Sequence, residues 1–180
     1  MVFKICTPLD YINPFLSAKS ISQNKFDSFC SSLVKYLKNI AEQVSLKQSE
    51  PNIVTNALKP FFESLEYDAR AHSQMGQSGI DLALYDNGRP SVIVEAKKPL
   101  SKEMVDVNNF NKKSFHEALL YFMRELNNDN KTLCHVILTD FYSWFVFDAK
   151  DLYKIVCQNK NIQLAYKNYS SSKTLGDNTR

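Results

Sequence analysis

A chain of 180 residues with 44% apolar and 23% charged content can bury a core without disulfide or metal staples, and only four glycines exclude a loop-dominated or low-complexity chain. A net charge of +3 is too small to mark a nucleic-acid-binding protein or to exclude one. Cys6, Cys30, Cys134 and Cys157 lie far apart with no Cys-x-x-Cys pair, and no apolar run reaches signal-peptide or transmembrane length, so the expectation is reduced thiols in a cytoplasmic protein with no membrane partner.

The first twenty residues, broken by Pro8 and Pro14, read as irregular. From Gln23 to Lys47, Phe26, Phe29, Leu33, Leu37, Ile40, Ala41 and Val44 recur at helical spacing and predict an amphipathic helix packed on the core as a cap. A second helix begins at Ser49-Glu50-Pro51, with Val54, Leu58, Phe61, Phe62 and Leu65 as its stripe. Pro60 should kink or split it, and Glu50 suits its positive N-terminal end. Tyr67 to His72 reads as a short strand and Ser73 to Ser78 as a loop, with His72 in a structural role.

Two apolar strands follow, Gly79 to Tyr85 and Ser91 to Lys97, around an Asp86-Asn87-Gly88 turn signal. A two-residue Asn87-Gly88 loop would set Glu95 among Ile80, Leu82 and Leu84. A three-residue loop pairs Tyr85 with Arg89 and Leu82 with Val92. It puts Ile80, Leu82, Leu84, Val92 and Val94 on one face and Asp81, Glu95 and Lys97 on the other. Burying five aliphatic side chains at roughly 1.5–3 kcal/mol each outweighs a turn preference of about 1 kcal/mol, which selects the second register. Two carboxylates and a lysine on one sheet face suit a hard divalent cation and phosphate chemistry, and they equally suit a cross-strand salt-bridge cluster.

Pro99 ends the strand. A helix from Asn111 to Asn127 buries Phe115, Leu119, Phe122, Met123 and Leu126 and carries Lys113, Glu117 and Tyr121 along another face. Strands over Thr132 to Leu138 and Trp144 to Asp148 and a short helix from Lys150 to Cys157 complete the ordered part, and the polar, aperiodic tail reads as a linker in mid-course. Lys98, Lys102, Lys112 and Lys113 fall in the span after the hairpin, as a solvated face or as contacts to DNA.

The order of elements, with Asp81 entering one strand and Glu95-Ala96-Lys97 ending the next, resembles the PD-(D/E)xK nuclease superfamily. A narrower resemblance is to the N-terminal nuclease region of Type IIG restriction enzymes, in which nuclease, adenine methyltransferase and target recognition share one polypeptide. It is carried by Asn13-Pro14-Phe15-Leu16, Gly79-Ile80-Asp81-Leu82, Val94-Glu95-Ala96-Lys97-Lys98-Pro99, Asn111 to Glu125 and Thr139 to Asp148. Ile80 stands where the superfamily's proline would be, and Glu117 where many relatives have glutamine, four residues before Tyr121.

The resemblance implies an α/β (α+β) fold with a restriction-endonuclease-like αβββαβ core. Its mixed central sheet would be flanked by helices, with a helical cap over residues 1–48, the nuclease core over 49–160 and a linker over 161–180. It implies that Asp81, Glu95 and the Ala96 carbonyl hold magnesium or manganese, that Lys97 positions the attacking water, and that Glu50, Glu117 and Tyr121 are accessory. Double-stranded DNA is the implied substrate, in a bacterial cytoplasm. Methyltransferase and recognition domains on the same polypeptide and a transient homodimer are the implied partners. The alternatives are a non-catalytic module of the same fold that binds DNA or a partner domain, and a salt-bridged sheet face with Lys97 bonded to both carboxylates and no open cleft.

Overall fold

The computed structural model describes residues 6–7, 20–75 and 78–177. The Asn13 to Leu16 segment, nearly all of the expected irregular N-terminus and the centre of the expected loop before the hairpin lie outside these. Within them, helices flank a mixed five-stranded sheet, an α+β architecture in the expected order of elements.

Helix α1 (Gln23–Ser45) leads to α2 (Glu50–Ile53), a π-helical turn (Val54–Leu58) and α3 (Lys59–Ser64). Strands β1 (Asp68–Met75), β2 (Ser78–Asp86) and β3 (Arg89–Ala96) follow, then α4 (Lys113–Asn127), β4 (His135–Thr139), β5 (Trp144–Asp148), α5 (Ala149–Gln158) and α6 (Lys160–Asp177). The sheet order is β1-β2-β3-β4-β5; only the β3–β4 pair is parallel, and α4 makes the crossover between them.

Pro60 shapes the helical entry differently from a kink. A proline at this position leaves the carbonyl four residues earlier without its donor. The chain widens into the π turn just before it, and the Lys59 N–H reaches back to the Val54 carbonyl. The helix therefore continues through the proline and keeps Ile53, Val54, Ala57, Leu58 and Phe62 buried.

Helix α1 is rotated from the expected orientation. Phe26, Phe29, Leu37 and Val44 remain exposed, whereas Tyr36 and Ile40 are buried and Leu33 packs behind them. The Tyr36 hydroxyl donates to the Phe141 carbonyl at 2.7 Å, and its ring stacks on Phe61 at 4.5 Å. That anchor ties α1 into the cluster of Leu82, Leu84, Val94 and Phe141, so the cap and the sheet share one core.

The hairpin register is neither of the two simple solutions. Asp86 pairs with Arg89 across Asn87 (φ 49) and Gly88 (φ 79), the left-handed pair of a type I′ turn. A bulge then absorbs Ser91, whose hydroxyl donates to the Leu84 carbonyl at 3.1 Å, and pairing resumes at Leu84↔Val92 and Leu82↔Val94. The expected Leu82–Val92 pairing and three-residue loop are thus corrected. The preferred turn and the apolar face are both kept because one extra residue restores the alternation. Gly88→Ala is expected to cost about 1 kcal/mol in urea unfolding at unchanged m-value: a Cβ there meets nothing within 4 Å, so only the left-handed backbone resists it.

Ile80 leaves its expected face. The β1–β2 pairing keeps one register from Asp68↔Tyr85 to Met75↔Ser78, with left-handed His72 (φ 52) left out of the paired set. Ile80 packs with Ala83, Ile93, Val136 and Leu138 under α4 rather than with Leu82 and Leu84, which corrects the expectation. The sheet is buried on both sides, by α1 to α3 on one and by α4 and α5 on the other. The tail expected as an aperiodic linker over 161–180 is helical through Asp177, and Ile162 and Tyr166 pack against the α4-side core.

Candidate active site at the end of β3

The parallel pairing brings the C-terminal ends of β3 and β4 side by side, Ala96 opposite Thr139, and the Lys97 N–H donates to the Thr139 carbonyl at 2.9 Å. Asp81 of β2 reaches across from the neighbouring strand: its Oδ2 accepts the Ala96 N–H at 2.9 Å. Glu50, at the start of α2, accepts the Lys98 N–H on Oε2 at 2.8 Å. The end of β3 is thereby held by carboxylates from two earlier elements, β2 and α2.

Lys97 is the centre of the cluster. Its Nζ donates to Glu95 Oε1 and to the Ala96 carbonyl at 3.1 Å, meets Glu117 Oε2 of α4 at 2.9 Å, and lies 3.7 Å from Glu50 Oε1. Lys97 is 4% exposed and Glu95 2%, whereas Glu50, Asp81 and Glu117 are only half-buried and form the solvent side. Tyr121, one turn after Glu117, is buried beside them. Asp81, Glu95, Lys97, the Ala96 carbonyl, Glu50, Glu117 and Tyr121 therefore occupy one neighbourhood. Lys97 bonds to Glu95 and not to Asp81, which holds the backbone instead.

Charge is unbalanced here. Asp81, Glu95, Glu50 and Glu117 surround one buried ammonium, with Lys113 4.0 Å from Glu117 on the solvent side, and water is largely excluded from Glu95 and Lys97 themselves. Burial and then the neighbouring Asp81 push the Glu95 carboxyl up to about 9 against the pull of Lys97. Burial likewise raises Asp81 and Glu50, although the Ala96 N–H and Lys97 respectively oppose it. Burial works to raise Glu117 as well, but hydrogen bonds from Lys97 and Glu95 outweigh it and hold that carboxyl low. For Lys97, burial favours the neutral amine, yet Glu95, Glu117 and Glu50 together drive its pKa upward, so it remains an ammonium. Burial and the carboxylates around it raise the Tyr121 phenol to about 12. Three buried carboxyl oxygens among the described residues have no hydrogen-bond partner: Glu95 Oε2 and Glu117 Oε2 in this cluster, the latter 2.9 Å from the Lys97 ammonium, and Glu125 Oε1 further along α4.

A family model described as a domain of unknown function, DUF7149, matches residues 6–180. The chain belongs to the DUF7149 family. Neither the curated proteins nor the solved structures give a match to it. In this DUF7149 chain no group of three or more His, Cys, Asp or Glu side chains is disposed to hold a metal ion among the described residues. The donors that converge at the end of β3 are two carboxylates, Asp81 and Glu95, and the Ala96 carbonyl. Their chemistry, all oxygen and net negative, fits a hard cation that keeps several waters, and Glu95 Oε2 is the oxygen such an ion would satisfy.

The lysines divide. Lys113 is engaged with Glu103 at 3.2 Å and lies 4.0 Å from Glu117. Lys98 and Lys102 are exposed and Lys112 is half-buried, and none of the three forms an ion pair among the described residues. Among the described residues, no helix is long and apolar enough to cross a membrane.

Two contributors carried no signal in the sequence. Thr139, buried at the end of β4, supplies the carbonyl that fixes Lys97, and only the parallel register brings it there. His72 Nε2 lies 3.1 Å from Thr55 Oγ1 and 3.3 Å from the Pro51 carbonyl, joining the start of the helical entry to the strand beside Asp81.

Proposed function

We propose that this domain is a metal-dependent DNA endonuclease of the PD-(D/E)xK type, the cleavage module of a Type IIG-like restriction enzyme acting in a bacterial cytoplasm. The observation that carries the reading is the surplus of carboxyl groups over ammonium at the end of β3, with the buried Glu95 Oε2 unmatched beside Asp81. Asp81, Glu95 and the Ala96 carbonyl would hold magnesium or manganese. Such an ion, when bound, stabilises charge on a phosphate and acidifies water.

The chain's own groups supply the rest. Lys97, kept protonated by Glu95, Glu117 and Glu50, acts as a hydrogen-bond donor: it orients the water attacking phosphorus and meets the charge developing on the phosphoryl oxygens. Lysine as the base that deprotonates water, an option open from residue types alone, is disfavoured in this setting. Glu117 fixes the ammonium from the α4 side and Glu50 from the α2 side, and Tyr121 closes the floor beneath them. Hydrolysis adds water across one P–O bond and leaves a phosphate end and a hydroxyl end. Duplex selection falls to methyltransferase and recognition domains of the same polypeptide, and cutting of both strands to a transient second copy.

The test is cleavage of supercoiled plasmid with magnesium or manganese, by this chain and by a polypeptide joining it to recognition domains. Asp81→Ala is expected to reduce the rate by at least about 10²-fold, as for removal of a preorganised charge-stabilising group. Undiminished cleavage by Asp81→Ala would sink the proposal.

A second reading has its own observation: Lys97 is almost wholly enclosed by three carboxylates. On that reading the cluster is a structural salt bridge in an inactive module. Divalent ions would then leave the melting temperature unchanged, and Glu95→Ala would leave DNA affinity unchanged.

A further inference from the structure

The segment that follows Lys97 carries a side chain the fold does not use. The Ser101 N–H donates to the Lys98 carbonyl at 3.0 Å, with Pro99 second in the turn and Leu100 third at φ 63. A proline followed by a left-handed residue is the signature of a type II turn, in which the third position belongs to glycine because a Cβ strains it. Here the position holds a leucine that is 97% exposed. Folding gains nothing from it: the backbone is strained and no apolar surface is buried.

The surroundings say what it meets. Lys98 and Lys102 flank it within two residues, both exposed, and the groove of about 480 Å³ behind it is lined by Lys102, Lys112, Met104 and Phe145 and also by Asp106 and Asp140. An apolar tip with an exposed lysine on each side matches a polyanion with an apolar interior, which is a nucleic-acid duplex: phosphates outside, stacked bases within. Three residues of chain span at most about 11 Å, and base pairs rise about 3.4 Å, so Leu100 stays within about three base steps of whatever phosphate lies at Lys97.

We propose that Leu100 is a wedge that enters a groove of duplex DNA and unstacks a base step beside the cleaved phosphate, with Lys98, Lys102 and Lys112 seated on the flanking phosphates. The inference rests on the nuclease reading for its substrate and adds to it a contact and a deformation of that substrate.

Leu100→Gly separates the two. Glycine relieves the turn, so the melting temperature is expected to hold or rise, while affinity for a 20-base-pair duplex falls about tenfold at unchanged salt dependence, because the lost contact is apolar. Lys102→Ala is expected to lower the slope of log affinity against log salt by about one. Duplexes carrying 2-aminopurine at successive positions should brighten with the native chain and stay dark with Leu100→Gly.

Equal affinity and equal brightening for Leu100→Gly would overturn the wedge while leaving the nuclease reading intact, since plasmid cleavage tests that separately. Duplex binding by neither chain would overturn the wedge, and plasmid cleavage would still decide the nuclease reading. Sedimentation showing that Leu100→Gly abolishes self-association instead would assign the tip to a second copy and overturn the wedge.

Discussion

Lys97→Met is expected to destabilise the domain by about 1–3 kcal/mol at pH 8 in metal-free buffer, the cost of leaving the half-buried Glu50 and Glu117 carboxylates and the buried Glu95 carboxyl without their common donor. Among the described residues the ammonium is the only cation paired with Glu95 and Glu50, Lys113 reaches Glu117 only at 4.0 Å, and methionine fills the space of Lys97 without answering any of them. The loss should shrink as the pH is lowered, because the stranded carboxylates then take up protons. It should also shrink on adding magnesium or manganese, because an ion at Asp81 and Glu95 replaces part of the missing charge. Stability recovered with metal but cleavage still absent would assign Lys97 to the chemistry. Recovery of both would leave it only a structural role. Urea unfolding with and without 10 mM-range divalent ion, alongside plasmid cleavage, reads both quantities.

How far the sequence reaches can be seen in the hairpin. The apolar spacing of Leu82, Leu84, Val92 and Val94 was enough to place them on one face, and that face exists. The pairing that produces it was not legible, because a strand's alternation fixes faces and leaves open where an extra residue is absorbed. A bulge at Ser91 and a shorter turn give the same parity as a longer loop. Ile80 packs in the opposite core from Leu82 and Leu84, a break in the alternation of β2 that no residue type announces.

In α1 the helical period was clear but its phase was not. Phe26, Phe29 and Leu37 are as apolar as Ile40, and Tyr36 is preferred inside because its hydroxyl finds the Phe141 carbonyl 105 residues away. The candidate site was legible as residue types in order. Its electrostatic state, with one ammonium among four carboxylates, depends on helix positions that bring Glu50 and Glu117 together, and no local pattern encodes those.

Stability in the absence of metal is expected to fall as pH rises from about 5 to 9, the reverse of ordinary acid denaturation. Glu95 carries the sign. Its carboxyl titrates near 4.5 when unfolded and at about 9 when folded. Between those values the native state holds a proton that the unfolded chain has released, so unfolding is favoured as protons become scarce. The stability this contributes is fully present below the unfolded value and lost as pH rises through the folded one, with a limiting slope of about 1.4 kcal/mol per pH unit. Asp81 and Glu50 are shifted in the same direction and add to it, while Glu117, shifted down, works weakly against it. Glu95→Gln removes the largest of these shifts while keeping the shape, so its melting temperature should fall much less across this range, by the share that Asp81 and Glu50 retain.

A divalent ion should flatten the native profile by the opposite route. Binding requires Glu95 ionised, so the ion displaces the proton and its stabilisation grows with pH. At a concentration 100 times its dissociation constant it contributes about 2.7 kcal/mol, comparable to two pH units of the loss. Melting curves from pH 5 to 9 for both chains, with and without magnesium or manganese, give four profiles. The cation reading requires a falling profile for the native chain alone, a flat one with metal, and no metal effect on Glu95→Gln. A salt-bridge cluster with no appetite for a cation would instead show the falling native profile unchanged by either ion.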